Sequence, residues 1–362
     1  METLGTWLGQ WPTGDLLAAL RFPLDPDKRI FGWYLLGAAA MAAAAYWLAG
    51  PRGARSLGGL CRYLLNPRIW WHRSARLDYQ VLLVNPVISA SLNAAGLVSM
   101  VAVAIAVSEV LGERLGPAEP SWPGWAVAAA FTLTLFVADD FTRYGLHWLL
   151  HRIPVLWALH KLHHSAEVLT PVTVYRIHPL ESVLYTLRMT LTQGLVVGLF
   201  FYGFGMRLGA WDIAGANVFT FVFNLAGANL RHSHVRLSYG RWLERLIISP
   251  AQHQIHHSNR REHFDRNFGS FLAVWDWLFG TLTVAHGQRR HGFGLGRRAA
   301  EPVYGNLWQA YWLPLKEAVA AGSGRERGGI RDRRPPRPGK HSGINASSRV
   351  RTNAIDSHSH SV

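Results

Sequence analysis

The chain has 362 residues, of which 49% are hydrophobic and 16% are charged, and its formal net charge is +15. Soluble proteins usually carry about a quarter charged residues, so this composition favours a membrane protein and weakens the case for a soluble one. Much of the basic charge lies beside apolar runs, which favours anionic lipid over nucleic acid as its partner. The single Cys61 excludes an intrachain disulfide and an all-cysteine iron–sulfur cluster.

Long apolar stretches predict an all-α, polytopic membrane bundle. A helix needs about 20 mostly apolar residues to cross the hydrocarbon core. We predict a membrane span in each of the stretches of that length: 31–50, 86–111, 123–142, 182–204 and 211–230. The alternative is that some of them are core helices of a large soluble protein. The stretch 86–111 argues against this alternative, because it has no charge before Glu109.

Arginines predict the orientation of the spans. Six of them, at positions 52, 55, 62, 68, 73 and 76, lie between the first two predicted spans. Cytoplasmic loops are enriched in Lys and Arg, so we expect this segment in the cytoplasm, the N-terminus outside and the C-terminus inside. The same orientation places the histidine motifs described next on the cytoplasmic side, as a metal-binding cap on the bundle.

Histidines recur at helical spacing in three motifs. The first is an HxxxH pair, and positions i and i+4 share one face of a helix. The other two are HxxHH motifs, in which we expect all three rings to converge from one helical turn. The motifs comprise His147 and His151, then His160, His163 and His164, and finally His253, His256 and His257. His178, His232 and His234 lie between the second and third motifs.

The number of imidazoles predicts two metal ions. Eight to ten candidate ligands exceed the four to six that one ion takes. Imidazole suits iron, zinc, copper or nickel, whereas magnesium and calcium prefer oxygen donors. The HExxH motif of a zinc hydrolase is absent from the sequence. These ligand types leave iron and zinc as alternatives.

The motifs resemble those of the fatty acid hydroxylase/sterol desaturase superfamily of membrane di-iron oxygenases. The resemblance covers about residues 125–285 and rests on HWLLHR, HKLHHS, RIHPLE, HSHV, HQIHHS and NFGSFLAVWDWLFGT. It implies O2-dependent hydroxylation or desaturation of a lipid C–H bond by two iron ions. It also implies a set of metal ligands in which His234 is the alternative to His232. That set is His147, His151, His160, His163, His164, His178, His232, His253, His256 and His257.

Charged residues near the motifs are candidates for supporting contacts. We expect Asp140, which precedes the first motif, to accept a hydrogen bond from a ligand imidazole; the alternative is a solvated carboxylate at the end of a span. Arg176 and Glu181 flank His178 and form either an ion pair that holds the cap or ordinary interfacial charges.

The implied reaction needs two electrons per turnover, and the sequence has no haem, flavin or nicotinamide motif. We therefore expect a separate donor protein, a ferredoxin or small cytochrome with its reductase. Two other functions remain open at this point: a membrane metal transporter or metal-binding protein, and a membrane zinc hydrolase.

Sequence pattern also divides the chain. The expected parts are an N-terminal region with two spans and a basic loop, a catalytic domain, a C-terminal extension and a basic tail. Their bounds are 1–122, 123–290, 291–322 and 323–362. The tail is rich in Gly, Pro, Ser and basic residues, so we expect it to be disordered.

Overall fold

The computed structural model describes residues 18–49, 55–94, 99–118, 122–205, 218–288, 291–295 and 304–323. Over these ranges the chain is helical and forms no strand; Ile247 and Leu272 make an isolated bridge, as do Ser258 and Phe293. The prediction of an all-α protein is confirmed. The predicted tail, beyond Ser323, lies outside the described residues.

The described residues form nine main helices. They are α1 (Gly32–Ala49), α2 (Arg73–Ala94), α3 (Met100–Leu115), α4 (Gly124–Arg152), α5 (Pro154–His164), α6 (Pro179–Phe204), α7 (Val218–Leu225), α8 (Pro250–His256) and α9 (Leu307–Gly322). Shorter helices and 3-10 turns connect them, at Ala18–Leu24, Leu57–Leu64, Pro67–Trp70, Pro171–Tyr175, Ala228–His232, Gly240–Leu243, Arg261–His263 and Val274–Leu278.

Two of these helices, α4 and α6, are long and apolar enough to cross a membrane. They cover the predicted spans 123–142 and 182–204, and α1 is a shorter apolar helix at the position of the first span. Helices α4 and α6 pack against each other, and α6 also packs along α3.

The other two predicted spans are not single helices. The stretch 86–111 is divided between α2 and α3, and residues 95–98 are outside the described part of the chain. In the stretch 211–230, residues 211–217 are not described, and α7 ends before Gly227. Gly227 has φ +83°, a left-handed conformation that breaks a helix, and a 3-10 turn follows it.

The histidine motifs lie on short, well-capped helices beside the long ones. Pro154 begins α5 directly after α4 ends, and Ser249 caps α8 through a capping box with Gln252. Helix α9, from the predicted C-terminal extension, packs against α5 in a core that includes Leu77, Leu162 and Ala310. The extension therefore stabilises the helix that carries the second histidine motif.

Glycines allow α3 and α6 to approach closely. A Cβ atom on Gly198 would lie 2.6 Å from the backbone oxygen of Ala104 and 2.7 Å from Cβ of Val107. Gly194, one turn earlier, has a similar contact, 2.6 Å from Cβ of Val103. Small residues spaced by four are typical of tightly packed membrane helices.

This contact predicts that Gly198→Ala destabilises the protein by about 1–3 kcal/mol, because the added methyl group meets backbone that cannot move alone. The matched control is Gly203→Ala in the same helix, where nothing lies within 4 Å of the added Cβ. The control should be neutral or slightly stabilising. Thermal unfolding in detergent measures both, and equal midpoints for the two variants would contradict the packing described.

Candidate metal centre

Nine of the ten predicted ligands gather in two buried clusters. The five-histidine cluster contains His147, His151, His160, His164 and His256, and the four-histidine cluster contains His163, His232, His253 and His257. Within each cluster the candidate ligand atoms all lie within 4.8 Å of one another. The clusters are adjacent, since the ring centroids of His164 and His257 are 4.6 Å apart.

Each HxxHH motif divides between the two clusters, contrary to the expectation that its three rings converge together. His160 and His164 enter the five-histidine cluster, whereas His163 enters the other. In the third motif, His253 and His257 belong to the four-histidine cluster, whereas His256 belongs to the five-histidine cluster. The helical repeat explains the division, because i and i+4 are about 40° apart around the axis while i+3 and i+4 differ by about 100°.

The Nε2 atoms of the four-histidine cluster point at one another. His232 Nε2 lies 3.3 Å from His163 Nε2, 3.0 Å from His253 Nε2 and 3.1 Å from His257 Nε2. One imidazole nitrogen carries at most one proton, so a single N–H cannot serve these three contacts together. Donors bound at about 2.0–2.1 Å to one ion would be roughly 2.8–3.4 Å apart, which fits these separations.

The five-histidine cluster has the same arrangement. His164 Nε2 lies 3.1 Å from His151 Nε2 and 3.2 Å from His160 Nε2. The buried Nε2 atom of His256 has no hydrogen-bond partner among the described residues. A bound cation would satisfy this atom, and nine imidazole donors suit a first-row transition ion.

Outer partners determine which nitrogen of these rings is free. His147 Nδ1 donates to the carbonyl of Phe268 at 2.8 Å, and His256 Nδ1 donates to that of Arg266 at 2.8 Å. A carbonyl can only accept, so these rings carry the proton on Nδ1 and keep the Nε2 lone pair for a metal. His160 Nδ1 is 2.7 Å from Glu181 Oε1, and an ionised Glu181 would hold the His160 proton on Nδ1 in the same way.

Burial keeps the imidazoles neutral. It lowers the pKa of His160 to about 3. Burial, followed by the neighbouring histidines, holds the pKa values of His164, His253 and His257 well below the ordinary value. The rings are therefore uncharged at neutral pH, which is the form that binds a metal.

Carboxylates position the loop that supplies the two carbonyls. Asp276 accepts from the backbone N–H groups of Phe268 and Gly269 at 2.8 and 2.7 Å. Asp140 accepts from those of Phe271 and Leu272 at 2.9 and 3.0 Å, and from Trp275 Nε1 at 2.9 Å. Asp140 thus acts through this loop. The expectation that its carboxylate accepts a hydrogen bond from an imidazole is wrong, because its partners are two backbone N–H groups and the Trp275 indole.

His178 and His234 lie outside both clusters. His178 Nδ1 accepts from the N–H of Leu180 at 3.2 Å, which caps α6, and its Nε2 donates to the carbonyl of Tyr311 at 3.1 Å. Both ring nitrogens are used, so the structure does not bring His178 into the ligand set. His234 Nε2 donates to the carbonyl of Tyr63 at 2.6 Å. Of the two alternatives in HSHV, His232 is the one in a cluster.

The flanking charges of His178 also differ from expectation. Glu181 pairs with His160, and Arg176 pairs with the buried Asp78 at 2.8 Å. Arg176 also donates to the carbonyl of Leu162 at 3.1 Å, which fixes the second motif. The contact between Glu181 and His160 was not predicted from the sequence. The sequence feature that points to it is a single carboxylate in the first turn of an apolar helix.

A cavity and a smaller hollow among the described residues border the clusters. A cavity of about 360 Å³ is lined by rings of both clusters, including His147, His160 and His232, together with Tyr175 and Tyr185. A smaller hollow of about 50 Å³ is bordered by His151, His164, His256 and His257. The larger cavity can hold part of an organic substrate beside the metal positions.

The part of the chain that contains both histidine clusters is similar in sequence to known proteins. Residues 132–281 match the model of the fatty acid hydroxylase family. The human alkylglycerol monooxygenase is 25% identical over 228 residues, which is 59% of this chain and 47% of that protein. The ornithine lipid hydroxylase of Rhizobium tropici is 27% identical over 57% of this chain and 58% of its own length. A Delta(7)-sterol 5(6)-desaturase of Gibberella zeae is 27% identical over 54% of each chain.

The chain spans about half the length of these curated relatives. No solved structure matches it significantly.

The clusters predict different outcomes for two neighbouring histidines. His232→Ala should lower bound metal from about two ions per chain to about one, because it removes a ligand of the four-histidine cluster. His234→Ala should keep both ions, since its ring binds a backbone carbonyl. Elemental analysis of the two purified variants measures this, and metal loss in His234→Ala alone would reverse the assignment.

Proposed function

We propose that this chain, which belongs to the fatty acid hydroxylase family through residues 132–281, is a membrane enzyme that oxidises a lipid C–H bond with two iron ions and O2. The observation that carries the proposal is the convergence of nine imidazoles on two adjacent positions beside one cavity. The matched relatives, a monooxygenase, a hydroxylase and a desaturase by name, support a lipid as the substrate.

Iron held by the two clusters would supply the oxidising chemistry, in which O2, two electrons and two protons convert C–H to C–OH and release water. The clusters would hold the ions through Nε2 atoms, and imidazole resists the oxidation to which a thiolate is prone. Glu181 and the carbonyls of Arg266 and Phe268 keep His160, His256 and His147 in the binding tautomer. Burial of the rings limits water at the reacting position.

We further propose that α4 and α6 cross the membrane. Leu191, Leu195 and Leu199 on α6 are 47%, 48% and 42% exposed, and their spacing places them on one stripe that lipid would cover. The first histidine motif is in the last turns of α4 and Glu181 is in the first turn of α6, so both helices present the site at one membrane face.

The basic segment supports the cytoplasm as that side. Tyr63 lies in this segment and accepts a hydrogen bond from His234, and Arg73 pairs with Glu167 at 2.7 Å, three residues after the second motif. Arginines between predicted spans favour a cytoplasmic location. The clusters would then face the compartment that contains soluble electron donors, and we propose a ferredoxin or small cytochrome in that role.

This orientation predicts that a reporter fused after residue 322 is cytoplasmic and one inserted near Pro117, between α3 and α4, is external. Paired reporters that are active on opposite sides of the membrane measure both positions. An external signal from the fusion after residue 322 would contradict the orientation.

The proposed reaction is tested with iron-loaded protein in lipid nanodiscs, given O2, NADPH, a ferredoxin and its reductase. We expect lipids that gain one oxygen atom or lose two hydrogen atoms, by mass spectrometry, with matching oxygen uptake. Without the ferredoxin, turnover should stop after at most about one cycle, because the two electrons have no other source.

Two variants control this experiment. His256→Ala should lose at least about a hundredfold in rate, since it removes a ligand. His286→Ala, an exposed histidine outside both clusters, should retain full activity. Lipid hydrolysis by zinc-loaded protein without O2 uptake would contradict the proposal and favour a zinc hydrolase, and bound metal with no lipid conversion would favour a metal-binding or transport role.

A further inference from the structure

Four arginines line the 360 Å³ cavity that borders both histidine clusters. Each comes from a different part of the fold: the turn before α1, then α4, α6 and the 3-10 turn that carries His232. They are Arg29, Arg143, Arg188 and Arg231. Convergence of four guanidinium groups on one cavity is costly unless anions accompany them, because like charges repel and burial removes water.

One carboxylate serves two of these arginines. Asp139 Oδ2 is 3.1 Å from Arg143, and its Oδ1 is 2.8 Å from Arg188. The neighbouring carboxylates have other partners, since Asp140 accepts from the 271–275 loop and Glu181 from His160. The cavity wall therefore has more buried positive charge than Asp139 can balance.

Arg29 and Arg231 form no ion pair within the described part of the chain. Arg29 donates to the side-chain oxygen of Asn224, and Arg231 donates to the carbonyls of Ala228 and Ser270. Arg231 is 4% exposed. Burial, followed by the charge of Arg143, lowers the pKa of Arg29 to about 10, so its guanidinium remains charged at neutral pH.

The cations lie close together. The guanidinium carbons of Arg29 and Arg143 are 5.9 and 6.0 Å from the centroid of the Phe271 ring. The ring face partly compensates one cation, but an aromatic ring cannot balance several. Arginine presents a planar fork of donors that matches the two oxygens of a carboxylate or phosphate, and such pairs are the strong, oriented ones in proteins.

Part of the wall of this cavity is apolar. Val174, Ile177 and Met189 line it beside the arginines, and Met189 lies on α6, one of the two candidate spans. A free inorganic anion would leave these apolar side chains without a partner, whereas an amphiphile fits both kinds of wall. The charges of Arg231 and Arg29 also reach His232 in the four-histidine cluster.

We propose that this cavity binds the oxyanion headgroup, a carboxylate or phosphate, of an amphiphilic lipid through Arg29 and Arg231. The arginines and the cluster histidines share one cavity, so the oxidised carbon lies close to that headgroup and far from the tail end. The site of oxidation rests on the function proposed above, whereas binding of the oxyanion does not require turnover.

Binding is tested with the metal-loaded protein in neutral detergent without reductant, so that no probe is consumed. The probes are oleate, oleoyl lysophosphatidate, oleyl alcohol and inorganic phosphate, measured by thermophoresis. We expect at least one of the two anionic lipids to bind about tenfold or more tighter than oleyl alcohol. Phosphate that binds as tightly as the lipids would overturn the lipid assignment, and tightest binding of oleyl alcohol would overturn the oxyanion site.

Variants then separate the arginines from the metal ions. Arg29→Gln and Arg231→Gln should each weaken the anionic lipid by about tenfold or more and leave oleyl alcohol unchanged, and Arg29→Lys should recover part of the loss. The control is Arg241→Gln, an exposed arginine on the helix Gly240–Leu243 outside the cavity. Anionic-lipid affinity unchanged in Arg29→Gln would overturn the proposal even if Arg231→Gln fails to fold.

Oxidation and binding can fail separately. If lipids are oxidised but neutral and anionic probes bind equally, the enzyme assignment stands and the headgroup site is wrong. If arginine-dependent binding holds but no lipid is oxidised with the donor system, the headgroup site stands and the oxygenase is wrong. Fragmentation of an oxidised product that places oxygen at the tail end would overturn the inferred position of attack.

Discussion

The mutual approach of nine buried imidazoles is the constraint on which the rest of the structure depends. Six pairs of Nε2 atoms, among seven of these rings, are 3.0–3.3 Å apart, and single protons cannot satisfy several such contacts at one nitrogen. Four segments must meet to bring these rings together: the end of α4, α5, the 3-10 turn at His232, and α8. Folding of these segments would therefore be coupled to metal binding, and bound ions would supply part of their stability.

The surrounding residues hold these segments at fixed positions. Asp140 and Asp276 bind the loop whose carbonyls orient His147 and His256, and Arg176 ties α2 to the end of α5. Asp265 and Asn267 both have φ +57° and flank Arg266, so the backbone that offers this carbonyl adopts a left-handed conformation that Asp and Asn tolerate better than most non-glycine residues. Asp140 and Asp276 act on backbone N–H groups, which holds the loop without placing their negative charge against the cluster rings.

Periodicity explains what was predictable. The spacing of His147 and His151 and the density of the HxxHH motifs predicted that these rings gather at one site, and the long apolar stretches predicted an all-helical fold. The spacing did not reveal the division of each motif, because side chains one position apart on a turn can face two ions. His178 belongs to a motif of the family but caps α6, and the partnership of Glu181 with His160 joins distant segments. The apolar stretch 86–111 was predicted as one span, but it is divided between α2 and α3, whose ends hydropathy alone cannot locate.

The cavity lies beside both histidine clusters, and four arginines line its wall. Helices α4 and α6 extend from it with exposed apolar side chains, so it would connect the proposed metal centre to lipid. The most direct test of the two-cluster centre is anomalous diffraction at the iron edge from crystals of the iron-loaded protein. We expect two peaks, one enclosed by His151, His160 and His164 and the other by His232, His253 and His257. A single peak, or iron bound at the surface away from both clusters, would contradict this account.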